Sequence, residues 1–112
     1  VSSVGRRDTQ EVLDLKQRFA DNLVLLRSRT DLSQVKVSER SSLHLTEISL
    51  LERGLRLPRL DTLIKLSGAI EVESCELLAG MSWRLGSNAG RRGAYMRQSA
   101  SSPEAPEPSE SS

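Results

Sequence analysis

Between Ser33 and Leu60 the chain reads SQVKVSERSSLHLTEISLLERGLRLPRL, and no other stretch constrains its fold as tightly. Apolar side chains at Val37, Leu43, Ile48 and Leu51 have the spacing of two short helices joined by a tight turn, each with one stripe to bury. The remaining positions are polar or charged, so each helix keeps an outward face. Ser33 is placed to cap the first of the two, although Lys36 three residues on cannot close the capping box that Glu or Gln would complete.

This string resembles the Cro and phage-repressor type of helix-turn-helix, the xenobiotic-response-element (XRE, lambda repressor-like) family of bacterial and phage regulators. Ser33, Gln34, Ser41, Leu43, Ile48, Ser49, Leu51, Glu52, Arg53, Gly54 and Pro58 match its pattern in register and without a gap. The resemblance covers about residues 19 to 80 and is silent on both ends. It implies an all-α fold, a compact five-helix lambda repressor-like DNA-binding domain. Two departures concern the backbone. Ser42 stands where the family has Gly, at a turn position whose positive φ costs a side chain about 1 kcal/mol. Asp31 stands at another such site, before the second helix, and Asp tolerates a left-handed or turn conformation better than most residues.

The flanking sequence supplies the other helices. Val12, Leu15, Phe19, Leu23 and Leu26 recur at steps of three and four, which predicts a first helix from about Thr9 to Arg29. Pro58 biases Leu57 away from helix and closes the loop after the third helix. A fourth helix is expected from about Leu60 to Ile70, with Leu60, Leu63, Ile64, Leu66 and Ala69 or Ile70 inward. Ser74 is read as the cap of a short fifth helix, Cys75 to Ala79, ended by Gly80 where a left-handed residue is easiest. Residues 9–83 thus form the domain, after an N-terminal arm of residues 1–8. Residues 84–98, RLGSNAGRRGAYMRQ, hold four Arg and no acid. They read as a flexible or short-hairpin C-terminal extension: a basic arm, or two strands turning around SNAG with Trp83 and Tyr95 as anchors. Residues 99–112 are Ser, Pro and Glu with nothing to bury and are expected to be disordered.

Composition excludes several classes. Aromatic residues are 3% of the chain, so Leu, Val and Ile must fill the core of a small helical bundle. No stretch approaches the ~20 apolar residues that cross a bilayer, and the N-terminus lacks the apolar run of a secretion signal, so the chain is read as cytoplasmic and nucleoid-associated, with no membrane partner. Cys75 has no second Cys to pair with and is taken as a partly packed helix residue. One His, one Cys and scattered carboxylates give no nucleophile and base at motif spacing and no metal-ligand set; no enzyme activity, metal or cofactor is implied. The net charge is +1, but its distribution is uneven. Residues 33–59 carry Lys36, Arg40, Arg53, Arg56 and Arg59 against Glu39, Glu47 and Glu52, a net of +2; residues 60–83 carry Lys65 against Asp61, Glu71, Glu73 and Glu76, a net of −3.

The resemblance also implies roles for residues. The second helix of the motif would enter the major groove of double-stranded DNA, with base contacts from Leu45, Thr46, Glu47, Ser49 and Leu50. Phosphate contacts would come from Gln34, Lys36, Arg53, Arg56 and Arg59, and Arg27 would pair with a buried Glu52. The base-facing set lacks Arg, Asn and Gln, which points toward thymine methyls for Leu45 and Leu50 and a cytosine amino group for Glu47. His44 occupies the usual Ser cap of the third helix, with Glu47 expected to reach back to a backbone donor. The implied protein is a DNA-binding regulator acting as a homodimer. The competing expectation is a protein-interaction module, an antitoxin or adaptor that keeps the fold and turns its Leu-bearing helix toward a protein partner.

Overall fold

In a computed structural model, residues 9–85 and 93–97 are described. Five helices follow in order: α1 (Gln10–Arg29), α2 (Gln34–Ser41), α3 (Leu45–Glu52), α4 (Leu60–Ile70) and α5 (Ser74–Leu77). Thr9 caps α1 by accepting a hydrogen bond from the Val12 amide, and Ser33 caps α2 by accepting one from Lys36. Leu15, Phe19, Leu23 and Leu26 carry the buried stripe of α1, while Val12 is half-buried. Val37, Ile48 and Leu51 are fully buried, and Leu43 packs against the same cluster. Burying a side chain of this size contributes about 1.5–3 kcal/mol, which fixes α2 and α3 against α1 and α4.

The turn positions behave as the sequence indicates. Ser42 has φ +64° and Asp31 φ +60°, both in the left-handed region, and Gly80 has φ +83°. Glu71 at the end of α4 is also left-handed, φ +65°, a position the sequence does not advertise. The Ser38 hydroxyl donates to the Leu43 carbonyl across the α2–α3 turn, a use its Ala-like size alone does not suggest.

Three details differ from expectation. Leu60 and Ile64 are exposed rather than inward, and Thr62 and Ser67 are buried in their place beside Leu63, Leu66, Ala69 and Ile70. The Ser67 hydroxyl is satisfied by donating to the Ile64 carbonyl at 2.8 Å and by contact with the Ser74 hydroxyl at 2.9 Å, so its burial is inexpensive. Because Ser74 is engaged there, the cap of α5 falls one residue earlier. Glu73 takes that role in a reciprocal capping box with Glu76, and the helix is Ser74–Leu77 rather than Cys75 to Ala79. Cys75 is exposed, not partly packed.

Beyond α5 the chain forms two strands, β1 (Met81–Arg84) and β2 (Ala94–Arg97), paired antiparallel with Trp83 opposite Tyr95. The extension therefore contains paired strands, and the first begins at Met81, within the stretch assigned to the helical domain. The SNAG turn, the N-terminal arm and the Ser/Pro/Glu tail lie outside the described residues. The Trp83 and Tyr95 rings meet edge to face with centroids 4.9 Å apart, and a Cβ at Gly93 would collide with the Trp83 indole. The end of α5 and the residues leading to the hairpin are tied to α1 by the buried Asn22, whose amide donates to the carbonyls of Leu77 and Ala79 at 2.9 and 3.0 Å.

Candidate nucleic-acid interface

α3 is eight residues long, and burial of Ile48 and Leu51 turns the opposite side outward. Leu45 is 43% exposed, Thr46 is exposed, and Ser49 and Leu50 are half-buried. With Gln34 at the start of α2 and Arg53 just past α3, these four line one shallow hollow. The structure thus brings together four of the base-facing residues and two of the phosphate residues named from the sequence.

The others lie elsewhere. Glu47 is on the other flank of α3, against the Arg56 guanidinium, in a second hollow shared with His44, Arg59 and Lys65. It does not reach back to cap the helix, and His44 makes no side-chain cap bond. A carboxylate gains more from a guanidinium than from a neutral amide, which accounts for the exchange of partners. Lys36 extends along α2 to Glu39 at 3.2 Å, away from the first hollow.

The outward face of α3 is held by a polar junction beneath it. Arg27 on α1 donates to both oxygens of Glu52, from Nε at 2.6 Å and Nη2 at 3.0 Å, and from Nη1 to the Leu32 carbonyl at 2.8 Å. Gln34 donates its amide to Glu52 Oε1 at 2.8 Å. The Glu52 side chain is 5% exposed, so α1, α2 and α3 are fixed relative to one another by one bidentate pair and its neighbours. Gln34, for which the resemblance implies both a phosphate contact and a brace for the second helix of the motif, is bonded to α3 through this junction.

Charge on the face is less free than a count along the chain indicates. Arg40 caps the end of α4, donating to the Ala69 carbonyl at 2.7 Å and to Glu71 at 2.9 Å. Arg56 pairs with Glu47, and Arg59 lies 3.3 Å from Asp61. Among the described residues Arg53 is the cation of this segment without an ion-pair partner, and it stands at the edge of the α3 hollow. The Lys36, Arg56 and Arg59 pairs are solvent-accessible and worth about 0–1 kcal/mol each, so a polyanion can compete for those cations. Also among the described residues, no cluster of three or more His, Cys, Asp or Glu is arranged to hold a metal ion, and no helix is long and apolar enough to cross a membrane.

Helix order, turn geometry and the outward face of α3 define a helix-turn-helix domain, and comparison with known proteins agrees. The family model described as Helix-turn-helix matches residues 25–77. The restriction-modification controller protein C.AhdI from Aeromonas hydrophila is similar at 32% identity, over 55% of this chain and 94% of that chain, with a TM-score of 0.54. A hypothetical transcription factor, NHTF from Neisseria, is similar at 26% identity over 64% and 83% of the two chains, with a TM-score of 0.56. An HTH_3 family transcriptional regulator from Vibrio cholerae shares the fold at 24% identity, over 61% of this chain and 38% of that one, TM-score 0.58. No curated protein sequence gives a significant match. The chain belongs to the XRE, lambda repressor-like helix-turn-helix family of DNA-binding transcription regulators.

Proposed function

We propose that this chain is a sequence-specific, repressor-like transcriptional regulator that lays α3 in the major groove of double-stranded DNA and acts as a homodimer. The observation that carries the proposal is the hollow on the outer side of α3, where Leu45, Thr46, Ser49 and Leu50 meet Arg53, which has no ion-pair partner among the described residues. Leu45 and Leu50 suit thymine methyl groups, and the hydroxyls of Thr46 and Ser49 can donate to or accept from a base edge. Arg53 supplies a phosphate contact, with Arg56, Arg59 and Lys36 recruited as their exposed pairs exchange for DNA phosphate. Glu47 reads a cytosine amino group only by giving up Arg56, so its first role is to hold that guanidinium beside the reading helix. Such a protein works in the cytoplasm, on the nucleoid.

Selection of bound duplexes from a random pool tests the proposal. The expected product is a two-fold symmetric sequence whose half-sites lie about 34 Å, one helical turn, apart. Recovery of no enriched sequence would contradict it.

The apolar character of the same face favours a second reading, an antitoxin or adaptor that presses Leu45 and Leu50 against a protein partner. Salt separates the two, because phosphate binding weakens steeply with added salt and a Leu-centred protein interface does not.

A further inference from the structure

Glu47 stands in the first turn of α3, where a carboxylate commonly caps the helix, yet it makes no capping bond there. Its side chain, 22% exposed, instead meets the Arg56 guanidinium, which is 52% exposed. A pair this accessible to water adds little to stability, so the fold does not account for it. Both partners lie in the hollow shared with His44, Arg59 and Lys65, across α3 from the one lined by Leu45, Thr46, Ser49 and Leu50. A helix N-terminus attracts phosphate, and a carboxylate placed there repels it. Glu47 therefore opposes DNA twice, by its own charge and by cancelling that of Arg56, unless the DNA offers the carboxylate a donor.

In the major groove cytosine supplies such a donor, its N4 amino group, whereas guanine and thymine show acceptors along that edge. We infer that Glu47 determines specificity by gating Arg56. Opposite cytosine the carboxylate turns from the guanidinium to the amino group, and Arg56 closes on a phosphate. Opposite guanine or thymine it keeps Arg56, so the chain meets the wrong sequence with one phosphate contact fewer and a carboxylate set against acceptor atoms. Discrimination then comes from an element built against incorrect DNA as well as from a contact to the correct one. The exposure that makes the Glu47–Arg56 pair unimportant to stability is what lets it exchange. This rests on the DNA-reading proposal above and deepens it, by coupling one base contact to one phosphate contact.

The test is fluorescence anisotropy on the full chain, with a selected and a scrambled duplex across a salt series. Glu47→Gln removes the charge at nearly constant size. It should tighten binding to the scrambled duplex by about 5-fold or more, steepen the salt slope there by about one unit, and narrow the preference for the selected duplex by about 10-fold or more, with helix content unchanged. Adding Arg56→Gln to that variant should return the scrambled slope to that of the unsubstituted chain. Arg56→Gln alone should lower the slope by about one unit on the selected duplex and leave it as it was on the scrambled one. The inference is overturned if Glu47→Gln leaves scrambled binding unchanged or weaker, or if Arg56→Gln lowers both slopes equally, which would mark Arg56 as an ungated phosphate contact. An unsubstituted chain that prefers no sequence overturns the DNA reading and the gate together, whereas one that selects a duplex but shows no such asymmetry overturns the gate alone.

Discussion

Arg27 Nε lies 2.6 Å from Glu52 Oε2, and this contact joins residues 25 apart in sequence at the place where α1 supports the end of α3. Gln34 and the Leu32 carbonyl complete the junction, so the orientation of α3 depends on a charge pair from which water is largely excluded.

Replacing Arg27 with Met should therefore destabilise the domain by about 3–5 kcal/mol, because Glu52 is left buried without its counter-charge. Replacing both residues by apolar ones of similar volume should be much milder. Chemical denaturation of the two singles and the double provides the check; a double as unstable as the sum of the singles contradicts a coupled pair.

Ser42 holds φ +64° with a side chain in place. Ser42→Gly should relieve about 1 kcal/mol of that cost and raise the melting temperature by about 4–8 °C in a thermal scan. An unchanged or lowered melting temperature would show that the hydroxyl or the unfolded chain outweighs backbone strain at the turn.

Asn22 is buried and donates to two carbonyls at the end of α5 and the approach to the hairpin. Asn22→Leu leaves the Leu77 carbonyl without this donor, while Ala79 keeps Arg18 Nε at 3.0 Å. A loss of about 1–3 kcal/mol is expected, seen as a lower urea midpoint at unchanged slope. A midpoint within error of the parent chain would show that the carbonyls find water instead.

The helix-turn-helix was legible from the sequence because Val37, Ile48 and Leu51 each sit in a helix too short to offer an alternative buried face, with Leu43 packing from the turn between them. α4 was harder. In LDTLIKLSGAI apolar residues occur nearly all round the helix, so periodicity could not tell that Thr62 and Ser67 go inward while Leu60 and Ile64 stay out. That choice depends on the Ser67–Ser74 contact, which joins separate elements. The outward residues of α3 came from the family resemblance, since Leu45 and Leu50 are as apolar as the inward Ile48 and Leu51, and the partners of Glu47 and Arg40 were not legible at all. Arg56 and Glu71 lie nine and thirty-one residues further along the chain, and where they meet depends on the path of two loops.

The central claim, that α3 reads DNA sequence while Arg53 holds the backbone, is tested most directly by measuring binding of Thr46→Ala and Arg53→Ala to a selected and a scrambled duplex at several salt concentrations. Thr46→Ala should change the preferred base pair at one or two positions and leave the salt slope intact. Arg53→Ala should weaken both duplexes alike and lower the slope by about one unit, as expected for one lost phosphate contact. Unaltered sequence preference in Thr46→Ala, together with an unaltered slope in Arg53→Ala, would contradict the account.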